Sequence, residues 1–177
     1  MYTNNVHQKR FQKTLAFLNQ NIEKGSHILD LGVQNPMSEL MKANGYKVEN
    51  THGEDLDEDQ TGLINSNAEV VTAFEILEHL LSPYHVLKSI RPKKLVVSVP
   101  LKIWFSGAYR SKTDMRDRHF HEFEDWQFNW LLEKTGWKII ASQKWINPPE
   151  SFGVRSVLRY FTPRHYIVYA EKLTHKP

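Results

Sequence analysis

The chain has 177 residues, 40% of them hydrophobic, with a formal net charge of +3 and no cysteine. That length suits one domain with a single substantial core, so residues 1–177 are read as one unit. The lack of cysteine excludes disulfides, thiolate metal ligands and cysteine nucleophiles, and no run approaches the ~20 apolar residues of a membrane helix. Met1 to Arg10 is polar, so no signal peptide is expected and the cytoplasm is the expected compartment. Acids cluster from Glu54 to Asp59, whereas Lys88 to Arg118 is basic. A solvated face and an anionic substrate both account for the basic run.

In chain order, Phe11, Leu15, Leu18 and Ile22 mark an amphipathic helix that should cover the sheet's face or rim before Gly25. The apolar run from Ile28 ends in Asp30-Leu31-Gly32 and breaks at Asn35-Pro36, which predicts a buried parallel strand, a tight turn and a helix. Asn35 suits the helix cap, Pro36 its first position and Asn44-Gly45 its end. Ligands of open α/β sheets bind at such strand ends. Tyr46 to Thr51 predicts a second, short strand, followed by the acidic loop His52 to Asp57.

Glu69 to Phe74 is rich in β-branched residues and predicts another buried strand, running into Glu75-Ile-Leu-Glu78-His79. Ser82 and Pro83 suit the start of a helix buried along Val86, Leu87 and Ile90 and ended by Arg91-Pro92. Leu95 to Pro100 is the next strand. A helix from Glu124 to Thr135 is expected to bury Trp126, Trp130 and Leu131 and to stop at Gly136. In the strand that follows, Trp137, Ile139, Ala141 and Trp145 should share one face. After the turn residues Asn147-Pro148-Pro149, His165 to Ala170 should close the sheet, the last two strands pairing antiparallel.

Four segments, taken in order, carry a resemblance. They are the Asp30-Leu-Gly32 turn, Val70-Val-Thr-Ala-Phe-Glu-Ile-Leu-Glu-His-Leu80 with Ser82-Pro83, Leu95-Val-Val-Ser-Val-Pro100, and Arg118-His-Phe-His-Glu-Phe123 before a helix and Gly136-Trp137. Over roughly residues 26–146 the set resembles small class I S-adenosylmethionine-dependent methyltransferases. In that family Asp-x-Gly-x-Gly-x-Gly holds the methionine end of the cofactor; here Gln34 and Pro36 stand at the second and third glycine positions.

The resemblance implies an α/β, Rossmann-like class I methyltransferase fold: a mostly parallel sheet with an antiparallel last strand. Asp55 to Ala68 leaves too little chain for the family's helix, strand and helix, so the third strand should be short or missing. S-adenosyl-L-methionine is the implied cofactor, contacted by Asp30, Gly32, Val33, Gln34, Phe74 and Glu75. An acidic residue at the end of the family's second strand binds the ribose diol, because a carboxylate accepts two hydrogen bonds. Counting from Gly45 puts His52 there; Glu54 or Asp55 are carboxylate alternatives, and a solvated acidic loop is equally open.

Glu75 and His79 are the implied catalytic pair, Glu75 holding an ammonium or taking a proton and His79 facing the acceptor. The plain alternative is that Glu78 and His79 cap the next helix. Trp104, Phe105, Tyr109 and Arg110 lie where family members place substrate-binding insertions; core packing is the alternative for these aromatics. The Lys102 to Arg118 loop is expected to form part of the acceptor site and to order on ligand binding, with His119 and His121 nearby. His119 and His121 alternate with Phe120, but without a cysteine or a helical His-x-x-x-His they predict no metal.

The expected activity is methyl transfer to an unidentified acceptor, a small molecule favoured and nucleic acid weakly supported, with no membrane partner. A non-catalytic binding or structural protein of the same fold is the alternative, supported by Gln34, Pro36 and His52. Nothing in the sequence speaks to oligomeric state.

Overall fold

The computed structural model describes residues 5–146 and 153–173, so the predicted turn Asn147-Pro148-Pro149 lies outside the described residues. Six strands form one sheet: β1 (His27–Asp30), β2 (Lys47–Asn50), β3 (Val70–Phe74), β4 (Lys94–Pro100), β5 (Trp137–Trp145) and β6 (His165–Lys172). Their order is β2-β1-β3-β4-β6-β5. The first four run parallel, and β6 pairs antiparallel with both β4 and β5. This is the expected Rossmann-like class I methyltransferase fold, β3 and β4 being its fourth and fifth strands. Between Asn50 and Val70 the described chain forms one short helix, α3 (Thr61–Asn65), and no strand.

Local signals explain most element ends. Asn35 caps α2 (Pro36–Ala43), its side chain accepting bonds from the backbone N–H groups of Met37 and Ser38. The turn at the other end of α2 places Gly45 at φ +91°, a conformation that glycine adopts without strain. α1 (Asn5–Asn21) buries Leu15, Phe17 and Leu18 against one face of the sheet, together with Met37, Met41 and Trp145. The other face packs on α4 (Pro83–Ser89) and α5 (Asp125–Lys134), through Val86, Leu87, Ile90, Phe128 and Leu132. A last helix, α6 (Val154–Phe161), precedes β6.

Three expectations are corrected. Ser82 occupies the cap position of α4 but makes no side-chain cap bond; instead the Leu81 and Ser82 N–H groups donate to Asp57 at 2.7 and 2.8 Å. In α5 the buried pair is Phe128 and Leu132, while Trp126 and Trp130 are more than half exposed and Leu131 only half-buried. Residues four apart share a helix face, and Phe128 packs edge-on against Phe123 and Tyr166. In β5 a bulge between Ile139 and Ala141 shifts the register. Trp137 and Ile139 therefore join the core of one face, and Ala141 and Trp145 that of the other.

Candidate functional site

The carboxyl ends of β1, β3 and β4, the side of α1 and the loop after β4 enclose a cavity of about 800 Å³. That volume suits a cofactor-sized ligand with a small molecule beside it. The turn after β1 forms one wall. There Asp30 is buried and accepts bonds from Thr72 Oγ1 at 2.6 Å, Ser38 Oγ at 3.0 Å and Asn50 Nδ2 at 3.2 Å. Burial pushes its carboxyl above the ordinary value, and these bonds oppose the rise. Asn50 also donates to the Gly32 carbonyl, and the Gly32 N–H donates to Thr51 Oγ1 at 2.7 Å. Gly32 sits at φ +95°, which a β-branched residue could not adopt without strain. Asp30 thus braces the turn, and Gly32 and the exposed Val33 line the cavity.

The opposite wall follows β3. Glu75 has φ +58°, left-handed backbone that costs a non-glycine residue energy. Its carboxylate is 3.3 Å from Arg10 Nη1 and 3.6 Å from His165 Nδ1, and it accepts Ser98 Oγ at 2.9 Å. Burial alone would push Glu75 up, but His165, Arg10 and Ser98 together pull it down to about 2. Glu78 lies in the single 3-10 turn Leu77–His79 and is 1% exposed. Burial, and then the Glu75 charge beside it, hold Glu78 well above the ordinary carboxyl range. Glu75 is thus held as an anion, while burial and the Glu75 charge disfavour the ionised form of Glu78.

His79 and His119 meet edge to face in the cavity wall, with ring centres 4.9 Å apart. His79 Nδ1 is 3.0 Å from the Arg118 carbonyl and His119 Nδ1 is 2.8 Å from Glu122 Oε1. Burial keeps His119 below the ordinary imidazole value. Tyr109 packs on His119 and donates to Asp117 at 2.9 Å.

The fold thus brings Asp30, Gly32, Val33, Phe74, Glu75, His79, Tyr109 and His119 to one cavity. Other sequence candidates do not line it. Gln34 donates to Glu39 on α2, His52 and Asp55 are exposed, and Trp104 stands 72% exposed against Phe105. Arg110 bridges to Arg118, and His121 stacks on Phe123 in a separate groove. Glu54, the other diol candidate, has a buried and unpartnered Oε2 but is not in the cavity wall. Sequence reasoning missed Arg10, Asn50 and His165. Only His165 left a usable trace: a residue opening a strand antiparallel to β4 must stand beside the end of β4, and it pairs with Pro100.

No family profile matches the chain, and no curated protein matches it by sequence. Solved structures do. The chain is similar to a SAM-dependent methyltransferase from Archaeoglobus fulgidus, with TM-score 0.65 and 14% identity over 97% of this chain and 96% of that one. It is also similar to the 1,6-didemethyltoxoflavin-N1-methyltransferase of Burkholderia thailandensis, solved with S-adenosylhomocysteine (TM-score 0.62, 15% identity, 96% and 84% covered). A third is the [4+2]-cyclase SpnF, at TM-score 0.60 and 12% identity, covering 98% and 84%.

Proposed function

We propose that this chain is an S-adenosylmethionine-dependent methyltransferase acting on a small-molecule acceptor. The observation that carries the proposal is the glycine turn at Gly32 facing Phe74 and Glu75 across one cavity, in a fold shared with such enzymes. When bound, the cofactor supplies an electrophilic methyl group on a sulfonium centre. Gly32 and Val33 hold its amino-acid end by backbone approach, and the Phe74 ring packs against it. An ionised Glu75 is a poor proton acceptor but a good partner for a cation, so it holds positive charge rather than acting as base.

His79 stands on the acceptor side. A carbonyl only accepts, so His79 Nδ1 donates to Arg118, and in the neutral ring Nε2 keeps the lone pair that takes an acceptor proton. The Lys102 to Arg118 loop, through Tyr109, Arg116 and Asp117, holds the acceptor against water. Holding the acceptor in line and dry supplies most of the rate.

Isothermal titration with S-adenosylhomocysteine tests the cofactor assignment. Gly32→Val should lower affinity at least tenfold, because it forces a β-branched residue to φ +95°. Wild-type binding indistinguishable from Gly32→Val would overturn the proposal. A labelled-methyl assay against a metabolite extract then reads turnover, which His79→Ala should lower more than cofactor affinity.

A non-catalytic binding protein of the same fold is the second reading. It is favoured by one observation: Asp30 bonds within the protein rather than presenting its carboxylate to a ligand. Tight S-adenosylhomocysteine binding with no label transfer to any extract fraction would favour it.

A further inference from the structure

We propose that Glu78, His79 and His119 form a binding site for a divalent transition-metal cation at the wall of the cavity. Each offers one ligand atom, and the three atoms lie within 4.8 Å of one another. His79 Nε2 is already 3.7 Å from Glu78 Oε1. Ligands bound at ~2.1 Å in tetrahedral geometry stand ~3.4 Å apart, so closing the triad takes side-chain movements of about 1 Å.

Three independent features favour a ligand here. First, Glu78 is 1% exposed and its Oε2 has no hydrogen-bond partner. An unpaired polar atom in that setting is costly, and a bound cation removes the cost. Second, both imidazoles are oriented through their Nδ1 atoms, His79 by the Arg118 carbonyl and His119 by Glu122. That outer pattern, a carbonyl or carboxylate on one ring nitrogen, fixes the other nitrogen as the ligand. Third, the backbone locks the two segments together: the N–H groups of Phe120 and His121 donate to the Glu78 carbonyl at 2.8 and 3.2 Å.

Two imidazoles and one carboxylate suit Zn²⁺ and its neighbours better than Mg²⁺ or Ca²⁺. The sequence predicted no metal for His119 and His121, lacking a cysteine or a helical His-x-x-x-His; the fold brings His119 to His79 instead. Three protein ligands leave a coordination position for the cavity, so the class of ligand completing the site is an oxygen donor. On the methyl-transfer reading, on which this consequence rests, that donor is an acceptor hydroxyl: the cation lowers its pKa so that its proton passes to bulk solvent as the acceptor binds, the oxygen then takes the methyl group, and His79, as a ligand, no longer serves as the base.

The experiment titrates Co²⁺ into chelator-treated full-length protein, following its visible ligand-field bands, then displaces it with Zn²⁺. One equivalent should bind. Glu78→Gln, His79→Ala and His119→Ala should each weaken Zn²⁺ at least tenfold, and His85→Ala, exposed on α4, should not. Glu122→Ala keeps all three ligands yet should cost about tenfold through loss of the acceptor that orients His119. That variant keeps the test decisive if a ligand variant fails to fold. No saturable Co²⁺ binding by the wild type, or binding that all four variants retain, overturns the proposal. S-adenosylhomocysteine titrated in the presence of chelator reports the cofactor site separately, so failure of the metal site and failure of the methyltransferase reading are told apart.

Discussion

Arg10 Nη1 lies 3.3 Å from Glu75 Oε2, tying the first helix to the carboxyl end of β3. The side chains are 21% and 15% exposed, so the pair is neither a surface bridge nor a fully buried one. Arg10→Ala should therefore destabilise the fold by about 2 kcal/mol, between the ~1 kcal/mol limit of exposed pairs and the ~3–5 kcal/mol of buried ones. Urea unfolding at neutral pH measures this, and a loss under about 0.5 kcal/mol would mean that α1 does not depend on the contact.

The cap of α2 gives a second prediction. Asn35→Ala removes acceptors from the Met37 and Ser38 N–H groups, and should cost about 1–2 kcal/mol. Asn35→Asp keeps the acceptor and should retain most of that stability, although it adds a carboxylate near Asp30. Thermal unfolding of the two variants separates the cap from the charge.

The start of α2 also shows what was legible in the sequence. Asn35, Pro36 and Gly45 act on their own neighbouring backbone, so their types alone announce a helix start and stop. The β-branched run at Val70 to Thr72 did the same for a buried strand. The cavity was only half legible, because Gly32, Phe74 and Glu75 follow strand ends, whereas Arg10 and His165 reach Glu75 only through helix packing and strand register. Trp126 and Trp130 are large aromatic residues whose type suits a core, yet the sheet-facing positions belong to Phe128 and Leu132. The bulge at β5 had no local signature, and it moved Ala141 and Trp145 to the opposite face.

Gly53 and Val33 should be coupled. A Cβ on Gly53 would stand 2.7 Å from Val33 Cγ1, and Gly53 has φ +84°. Gly53→Ala should cost about 2 kcal/mol, combining overpacking with left-handed strain. In a Val33→Ala background the cost should fall toward the ~1 kcal/mol of strain alone, a coupling that a double-mutant cycle reads directly. Equal costs in both backgrounds would show that the loop moves instead.

Glu78 should make stability depend on pH. Its folded pKa is raised by burial and then by Glu75, so folded protein keeps a proton that the unfolded chain releases above 4.5. Stability from this group is therefore greatest below that value and is lost as pH rises toward the folded pKa. In metal-free protein, Glu78→Gln should gain on the wild type as pH rises from about 5. His119, which is present in both proteins and shifted the opposite way, largely cancels in the comparison. A difference that stays flat as pH rises would show that Glu78 is already ionised.

The cavity beside Gly32 stands or falls on one measurement, equilibrium dialysis of wild-type protein against labelled S-adenosylmethionine. The account predicts saturable uptake of one equivalent, displaced by S-adenosylhomocysteine and lost in Gly32→Val. No saturable uptake by folded wild-type protein would contradict it.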